Sequence, residues 1–520
     1  PSMAEYQQLN RMSHRTALLD AGRGCPYKCV YCSENILWNY KARMRSVPKL
    51  IEELRWLKDE HGVDKFLAAY DLFTAKRSFV IEFCESLLDS GLDLGWHCIC
   101  RLDGVDDKLL QLMSRAGCDS LCYGADSGSA ETLKFIKKSI REDLVFPNIL
   151  ATKKAKIVPT LSFVIGFPEE TPAELDKTLD LALRSGMLGD NNPLLQMVTV
   201  LAGTPLLKDY EDRLVKGFET YFSAGLGFNP DGSRLTEDQA LIDGDPYTFS
   251  SFYNIDPLYL ELDTLHCLQR NFPLLVFLFS KSLYILNKEL NPPAEGEDPR
   301  RGYLALFLEY MEYLEESGRG QWEYGIQQAL EYFPEFMHHK LDSRTLRYPY
   351  AWEVLDYELA TAGLERVPKP LKEIERTVTA LEESGTLDGA VVGWSPEVTI
   401  GRYTWPLDTI FEQMKLTGVL PDTQPRPTTM VFSMRYYELS SQVVSDPVAE
   451  VLELAHAEPR SVGELIALMQ ARYPQVDEAQ VAAGVREVAG VMLRRGVLAL
   501  VEEPPVFEAA REITPGLRFV

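Results

Sequence analysis

Between Thr16 and Leu207 the chain repeats one pattern six times, a short apolar run followed by an amphipathic helical stretch. The apolar runs fall at 16–21, 65–70, 95–100, 120–125, 157–166 and 194–201. Between the first two, residues 47–61 carry Leu50, Ile51, Leu54 and Leu57 on one helical face. Before the last, Thr171-Pro172-Ala173-Glu174 sets an N-cap, a first-turn proline and an acid in order. Strands separated by helices must run parallel, and the helices must cover the sheet. Six units are fewer than the eight of a closed barrel, so the expected class is α/β, a partial (β/α)6 barrel with ligands at the carboxyl ends of its strands.

Beyond the barrel (1–207) three further segments are expected. Residues 208–256 are irregular, with Asn229-Pro230-Asp231-Gly232 and Asp243-Gly244-Asp245-Pro246, and read as a linker or insertion. Residues 257–429 are expected to be mostly helical and to cover the substrate. Residues 430–520 are expected to form a winged helix. Its first helix lies about Val448–Ala455, and Ser461-Val462-Gly463-Glu464 is a capping box for the second. Asp477 caps the third, with a stripe of Val481, Val485, Val488 and Met492, and a strand follows Gly496.

The chain of 520 residues carries a formal net charge of −24, which repels phosphate backbones and makes nucleic acid a poor partner. The longest apolar run, about Phe272 to Leu286, is broken by Ser280-Lys281-Ser282 and reads as a core helix rather than a membrane span. With no signal segment evident, a cytoplasmic location is expected, and the nine cysteines are not expected to form a disulfide framework, with metal or redox chemistry the reading for any clustered set.

Three of those cysteines stand together directly after the first predicted strand, in Gly24-Cys25-Pro26-Tyr27-Lys28-Cys29-Val30-Tyr31-Cys32. Thiolates at C-x3-C-x2-C can wrap one iron–sulfur cubane, each ligating a separate iron and leaving the fourth open to a small ligand. A structural zinc site would want a fourth ligand, for which no matching second pair lies nearby and His14 is a poor candidate. Three unrelated buried thiols are the remaining reading.

On these residues the segment 14–207 resembles the radical SAM superfamily, in which this spacing holds a [4Fe–4S] cluster that cleaves S-adenosylmethionine. Tyr31 matches the aromatic residue that packs near the adenine. Gly124-Ala125-Asp126-Ser127-Gly128 is similar to the family's Gly-x-Glu-Ser-Gly segment at the SAM ribose and amino acid, with Asp one methylene shorter than Glu. Ser162, Val164, Gly166 and Glu169 align with the Gly-x-Ile-x-Gly-x-x-Glu adenine motif, departing at Ser162 and Val164. Arg101 falls in an Arg-x-Asp segment, and Gly203-Thr204-Pro205 matches the turn that closes the sixth strand. Ala69-Tyr70-Asp71 takes the place of a Gly-Gly-Glu, which leaves backbone contacts to the SAM ammonium. Taken singly, Gly124 and Gly166 also suit tight turns, and Asp126 and Glu169 suit solvated helix caps.

The resemblance implies SAM and one [4Fe–4S] cluster as cofactors, an electron donor such as flavodoxin or ferredoxin, and hydrogen-atom abstraction from a substrate. About twenty residues precede the cysteine motif and no Asp-x-His-x-x-Gly occurs, so no cobalamin is expected. The winged helix is similar to the recognition elements of ribosomal-peptide maturases, which implies a peptide substrate with a leader segment and epimerisation or cross-linking as the reaction. Cys267, Cys122, Cys98 and Cys100 are then candidate hydrogen donors, each also readable as a small buried hydrophobe. A radical SAM methyltransferase or small-metabolite enzyme is the alternative, and a redox-sensing iron–sulfur protein is the alternative from another class.

Overall fold

A computed structural model describes residues 15–138, 140, 144–188, 193–217, 236–291, 302–319, 325–364, 371–395, 398–435 and 438–501. Its chain divides into two compact units, residues 1–358 with 412–422, and residues 359–411 with 423–520.

The first unit holds six parallel strands hydrogen-bonded in chain order: β1 (Thr16–Asp20), β2 (Lys65–Ala69), β3 (Gly95–Cys100), β4 (Cys118–Asp126), β5 (Val158–Ile165) and β6 (Leu194–Met197). Neighbouring strands pair in parallel throughout, and β1 and β6 are the unpaired edges, so the barrel is open as expected. The crossovers carry α1 (Val47–His61), α2 (Arg77–Ser90), α3 (Asp107–Arg115), α4 (Ala130–Phe135), α5 (Val145–Lys154) and α6 (Pro172–Met187). Thr171 begins α6 with the expected capping box.

One face of this sheet is sealed and the other is not. Phe66 on β2 and Trp96 on β3 stack on one another and pack against Phe83 of α2, which marks the buried face as the helix side. On the opposite face Leu18 is 62% and Ile99 43% exposed, although both lie within strands. Strand residues alternate between the faces, so every side chain in β1–β6 belongs to one surface or the other.

The longer helices that follow the barrel in the first unit are α7 (Leu262–Leu290), α8 (Tyr303–Glu316), α9 (Ile326–Leu341) and α10 (Ala351–Ala362), the last running into the division. The apolar run 272–286 does lie inside α7, which breaks its helical geometry at Phe279. Glu358 fills that break, its carboxylate accepting the backbone N–H groups of Lys281 at 2.8 Å and Ser282 at 2.9 Å. Among the described residues, no helix is long and apolar enough to cross a membrane. Of the irregular stretch expected at 208–256, residues 218–235 lie outside the described residues, and the rest includes an α-helix at Thr236–Gly244 and an antiparallel pairing of Leu214–Val215 with Asn254–Ile255.

The second unit contains α11 (Leu371–Glu383), β7 (Val391–Trp394), β8 (Val398–Tyr403), β9 (Thr428–Arg435), β10 (Glu438–Val444), α12 (Asp446–Ala457), β11 (Arg460–Ser461), α13 (Val462–Arg472), α14 (Glu478–Arg494) and β12 (Leu498–Leu500). The three terminal helices, the Ser461–Glu464 capping box and the Asp477 cap are where the sequence puts them. The expected boundary at 430 is not. β7, forty residues earlier than that boundary in the chain, is the central strand between β11 and β12, and α11 contributes Val378 to the same core. β8, β9 and β10 form a second antiparallel sheet. Three helices and one short strand leave an apolar face bare, and the earlier strand and helix cover it.

Candidate cluster and nucleotide site

The cysteine motif lies on a loop that leaves the carboxyl end of β1 and is closed at its neck by backbone pairing of Gly22–Arg23 with Arg43–Met44. Gly24 has φ +85°, and a Cβ there would come within 2.3 Å of the Lys41 carbonyl oxygen, so the turn into Cys25 requires glycine. The Gly24 N–H donates to Asp71 Oδ2 at 2.6 Å, tying the loop to the end of β2. Its middle is pinned at Val30, whose N–H donates to the Ile136 carbonyl and whose carbonyl accepts the Leu206 N–H, both at 3.1 Å. Leu206 belongs to the short helix that Thr204 caps, so the Gly203-Thr204-Pro205 turn buttresses the cysteine loop. Val30 packs with Phe167, Val198 and Val200, which leaves Cys29 and Tyr31 on either side of a buried anchor.

Cys25, Cys29 and Cys32 are half-buried free thiols. Burial raises all three thiol pKa values, that of Cys29 up to about 11, while Lys138 opposes the shift at Cys25 and Cys29 and Arg101 opposes it at Cys25. Among the described residues no three His, Cys, Asp or Glu side chains are gathered closely enough to hold a single metal ion. A zinc site needs its sulfurs around one point at about 2.3 Å, whereas a cubane takes each thiolate on its own iron. Three soft donors on one loop, unpaired in disulfides and flanked by two cations, fit a cluster with a negative net charge.

Next to this loop Tyr31 donates its hydroxyl hydrogen bond to Asp126 Oδ2, and its ring meets Phe167 at 5.6 Å. Asp126 sits at a bulge in the β4–β5 pairing with φ +61°, which swings its carboxylate to Lys138, with Nζ 2.6 Å from the same oxygen. Aspartate and lysine are both buried. Sequence reasoning passed over Lys138, which lies in an ordinary run of lysines; its one signal is its place just past α4, where the chain turns back over β4. Arg101 is buried too, forked onto Asp103 at 2.9 and 2.8 Å and stacked 4.0 Å above the Tyr27 ring.

Several expected site residues are placed otherwise. Glu169 is exposed and accepts the Tyr210 hydroxyl, whereas Glu170 is buried and accepts the Gly166 N–H at 2.7 Å, because Gly166 at φ +81° starts a turn that carries the second glutamate inward. Ser127 turns its hydroxyl to Thr178 of α6 at 2.9 Å. Gly128 permits that approach, since a Cβ there would lie 2.2 Å from the Lys177 carbonyl. Cys98 and Cys100 share the sealed face with Trp96, their sulfurs 3.5 Å apart, and so point to the helices. Cys122 lies on the open face with Gly124. Cys267 is buried in α7 and accepts a hydrogen bond from Asn271 of the same helix. Ser162 and Val164 are half-buried on the open face beside Gly124, and Ala69 is half-buried at the end of β2. His97, also on the open face, was not foreseen. Its Nδ1 lies 3.0 Å from Ser120 Oγ, and burial lowers its pKa.

The open parallel β/α barrel thus carries three thiols at the carboxyl end of its first strand and a buried aspartate–lysine pair at the end of its fourth. Residues 20–182 match the model of the radical SAM superfamily, and this part of the chain is a radical SAM domain. An uncharacterized methyltransferase of Pyrococcus horikoshii is 32% identical over 160 residues, 31% of this chain and 35% of that protein. The anaerobic magnesium-protoporphyrin IX monomethyl ester cyclase of Rubrivivax gelatinosus is 30% identical over 173 residues, 33% of this chain and 31% of that one. The chain thus spans about a third of the length of these curated relatives. Among solved structures, the cobalamin-dependent radical enzyme OxsB with aqua-cobalamin bound covers 67% of this chain and 58% of its own, at 14% identity and a TM-score of 0.40, a likeness too slight to bear on function. The expected absence of cobalamin finds no support in these comparisons.

Proposed function

We propose that the chain is a radical SAM enzyme of the methyl-transferring kind, with its cluster on Cys25, Cys29 and Cys32. The observation that carries the cluster site is the loop itself, three free thiols held by Asp71, Val30 and the Gly203-Thr204-Pro205 turn beside a buried Asp126–Lys138 pair. Once bound, the cluster would supply the electron that breaks the sulfonium C–S bond of SAM. The chain's own residues bind and orient. The Lys138 ammonium answers the SAM carboxylate, Asp126 faces the amino or ribose hydroxyl groups, and Tyr31 and Phe167 form an aromatic wall for the adenine. Cys122, Ser162 and Val164, on the open face, meet the nucleoside or the substrate.

Methyl transfer is favoured over peptide epimerisation by the relatives' names, among them methyltransferases and ring-closing enzymes. The sealed position of Cys98 and Cys100 also removes two of the four proposed hydrogen donors. A peptide partner keeps one support, the three terminal helices with their small sheet, which we read as winged-helix-like.

The test is to reconstitute the chain anaerobically, reduce it and add SAM, with reduced cobalamin supplied in one arm to accept the methyl group. A four-iron signal perturbed by SAM, with 5′-deoxyadenosine and S-adenosylhomocysteine formed together, supports the reading. 5′-Deoxyadenosine alone, with and without added cobalamin, would return the case to hydrogen abstraction without methyl transfer. No response to SAM would leave a redox-sensing protein.

A further inference from the structure

Tyr70 follows the last residue of β2 and precedes Asp71, whose carboxylate holds the Gly24 N–H beside Cys25. Tyr70 is 4% exposed, and its hydroxyl is sealed from solvent without a hydrogen-bond partner among the described residues. A buried hydroxyl without a partner forfeits its hydration, so a donor left idle beside a ligand site is free to bond what binds there. The two tyrosines within the cysteine motif are differently employed. Tyr31 donates to Asp126, and Tyr27 is 40% exposed beneath Arg101. The Asp71 carboxylate and the Cys25 sulfur lie near this phenol, which is an uncharged donor at neutral pH.

We propose that, with the cluster in place, the Tyr70 hydroxyl donates a hydrogen bond to the Cys25 sulfur or to the cluster sulfide beside it and raises the cluster's reduction potential. The inference rests on the cluster reading of the three cysteines and extends it to a residue that family-like motifs do not supply. The physical reason is charge. Reduction adds an electron that is shared with the sulfurs, and a donor aimed at sulfur stabilises the reduced form more than the oxidised one. Tyr70 is thus a positioning and tuning residue, and it takes no part in bond breaking.

The experiment compares the reconstituted full chain with Tyr70→Phe, which keeps the ring and removes the donor. A potentiometric titration followed by electron paramagnetic resonance should place the variant's midpoint at a more negative potential, and its iron–cysteine stretching band should rise in frequency. An unchanged midpoint and band at equal iron content overturn the inference. If Tyr70→Phe retains no cluster, Tyr70→His, which keeps a ring and an N–H donor, decides. A cluster with a midpoint near that of the unmodified chain supports the donor role, and loss of the cluster in both variants counts against it. An unmodified chain without a SAM-responsive four-iron signal fails earlier and differently, removing the cluster reading itself.

Discussion

Glu170 accepts the backbone N–H of Gly166 at 2.7 Å from a buried position, and its other carboxylate oxygen has no partner among the described residues. Burial, with Glu174 nearby, pushes its pKa up to about 8, far above the usual carboxylate range. A carboxyl group raised in this way favours the unfolded chain once the pH passes its unfolded value. Its cost therefore grows as the pH rises from about 4.5 to about 8, then levels off. Glu170→Gln keeps an acceptor for Gly166 and removes the titration. Thermal melts across that window should show the variant losing less stability with rising pH than the unmodified chain. Parallel curves would refute the assignment.

Asp71→Ala frees the Gly24 N–H at the entry to the cysteine loop. A hydrogen bond to a carboxylate is worth about 1.5–3 kcal/mol, and here it also sets where Cys25 sits. The variant is expected to fold and to bind less iron per chain after reconstitution, as a colorimetric iron assay would show. Full iron content would mean that the Val30 anchor and the paired neck hold the loop without Asp71.

Removing Lys138 strands a buried carboxylate. Lys138→Met should lower stability by about 3–5 kcal/mol, and Asp126→Asn in the same chain should recover part of it. Denaturant melts of the two single variants and the double variant measure the coupling. SAM binding by calorimetry should fall in all three. Additive losses would show that the 2.6 Å pair contributes no coupling energy.

Glu358→Ala leaves the N–H groups of Lys281 and Ser282 without an acceptor at the break in α7. About 3 kcal/mol of stability should go with it, and Glu358→Gln, which keeps one acceptor, should lose less. If both variants melt with the unmodified chain, water fills the break as well as the carboxylate does.

The two faces of the barrel make a contrast that cysteine variants can read. Cys98→Ser places a hydroxyl on the sealed face and should reduce stability by about 1–3 kcal/mol, with SAM cleavage per folded chain unchanged. Cys122→Ala should barely move the melt and should alter SAM turnover or product. The reverse pattern would exchange the two faces.

The strand order, the cysteine loop and the helix caps at Thr171, Ser461 and Asp477 were all legible, because each depends on residues close together in the chain. Period-two alternation also showed that Cys98 and Cys100 share a face. It could not say which face, since alternation is symmetric until something packs on one side, and here Phe83 of α2 does. Glu169 and Glu170 are adjacent acids, and the left-handed turn at Gly166 chose between them. Lys138 meets Asp126 through a bulge and a reversal of chain that no local spacing announces. The boundary at 430 failed because β7 pairs with strands that follow it by more than sixty residues.

By itself, the amino-acid order determined a parallel β/α sheet and three thiols spaced for one cluster, since hydrophobic period and ligand spacing are properties of neighbouring residues. Tertiary structure decided which carboxylate is buried, which cysteines face the open side, which lysine neutralises Asp126 and why the Tyr70 hydroxyl lacks a partner. Those outcomes depend on desolvation and on contacts between distant segments, which exist only after the chain has folded.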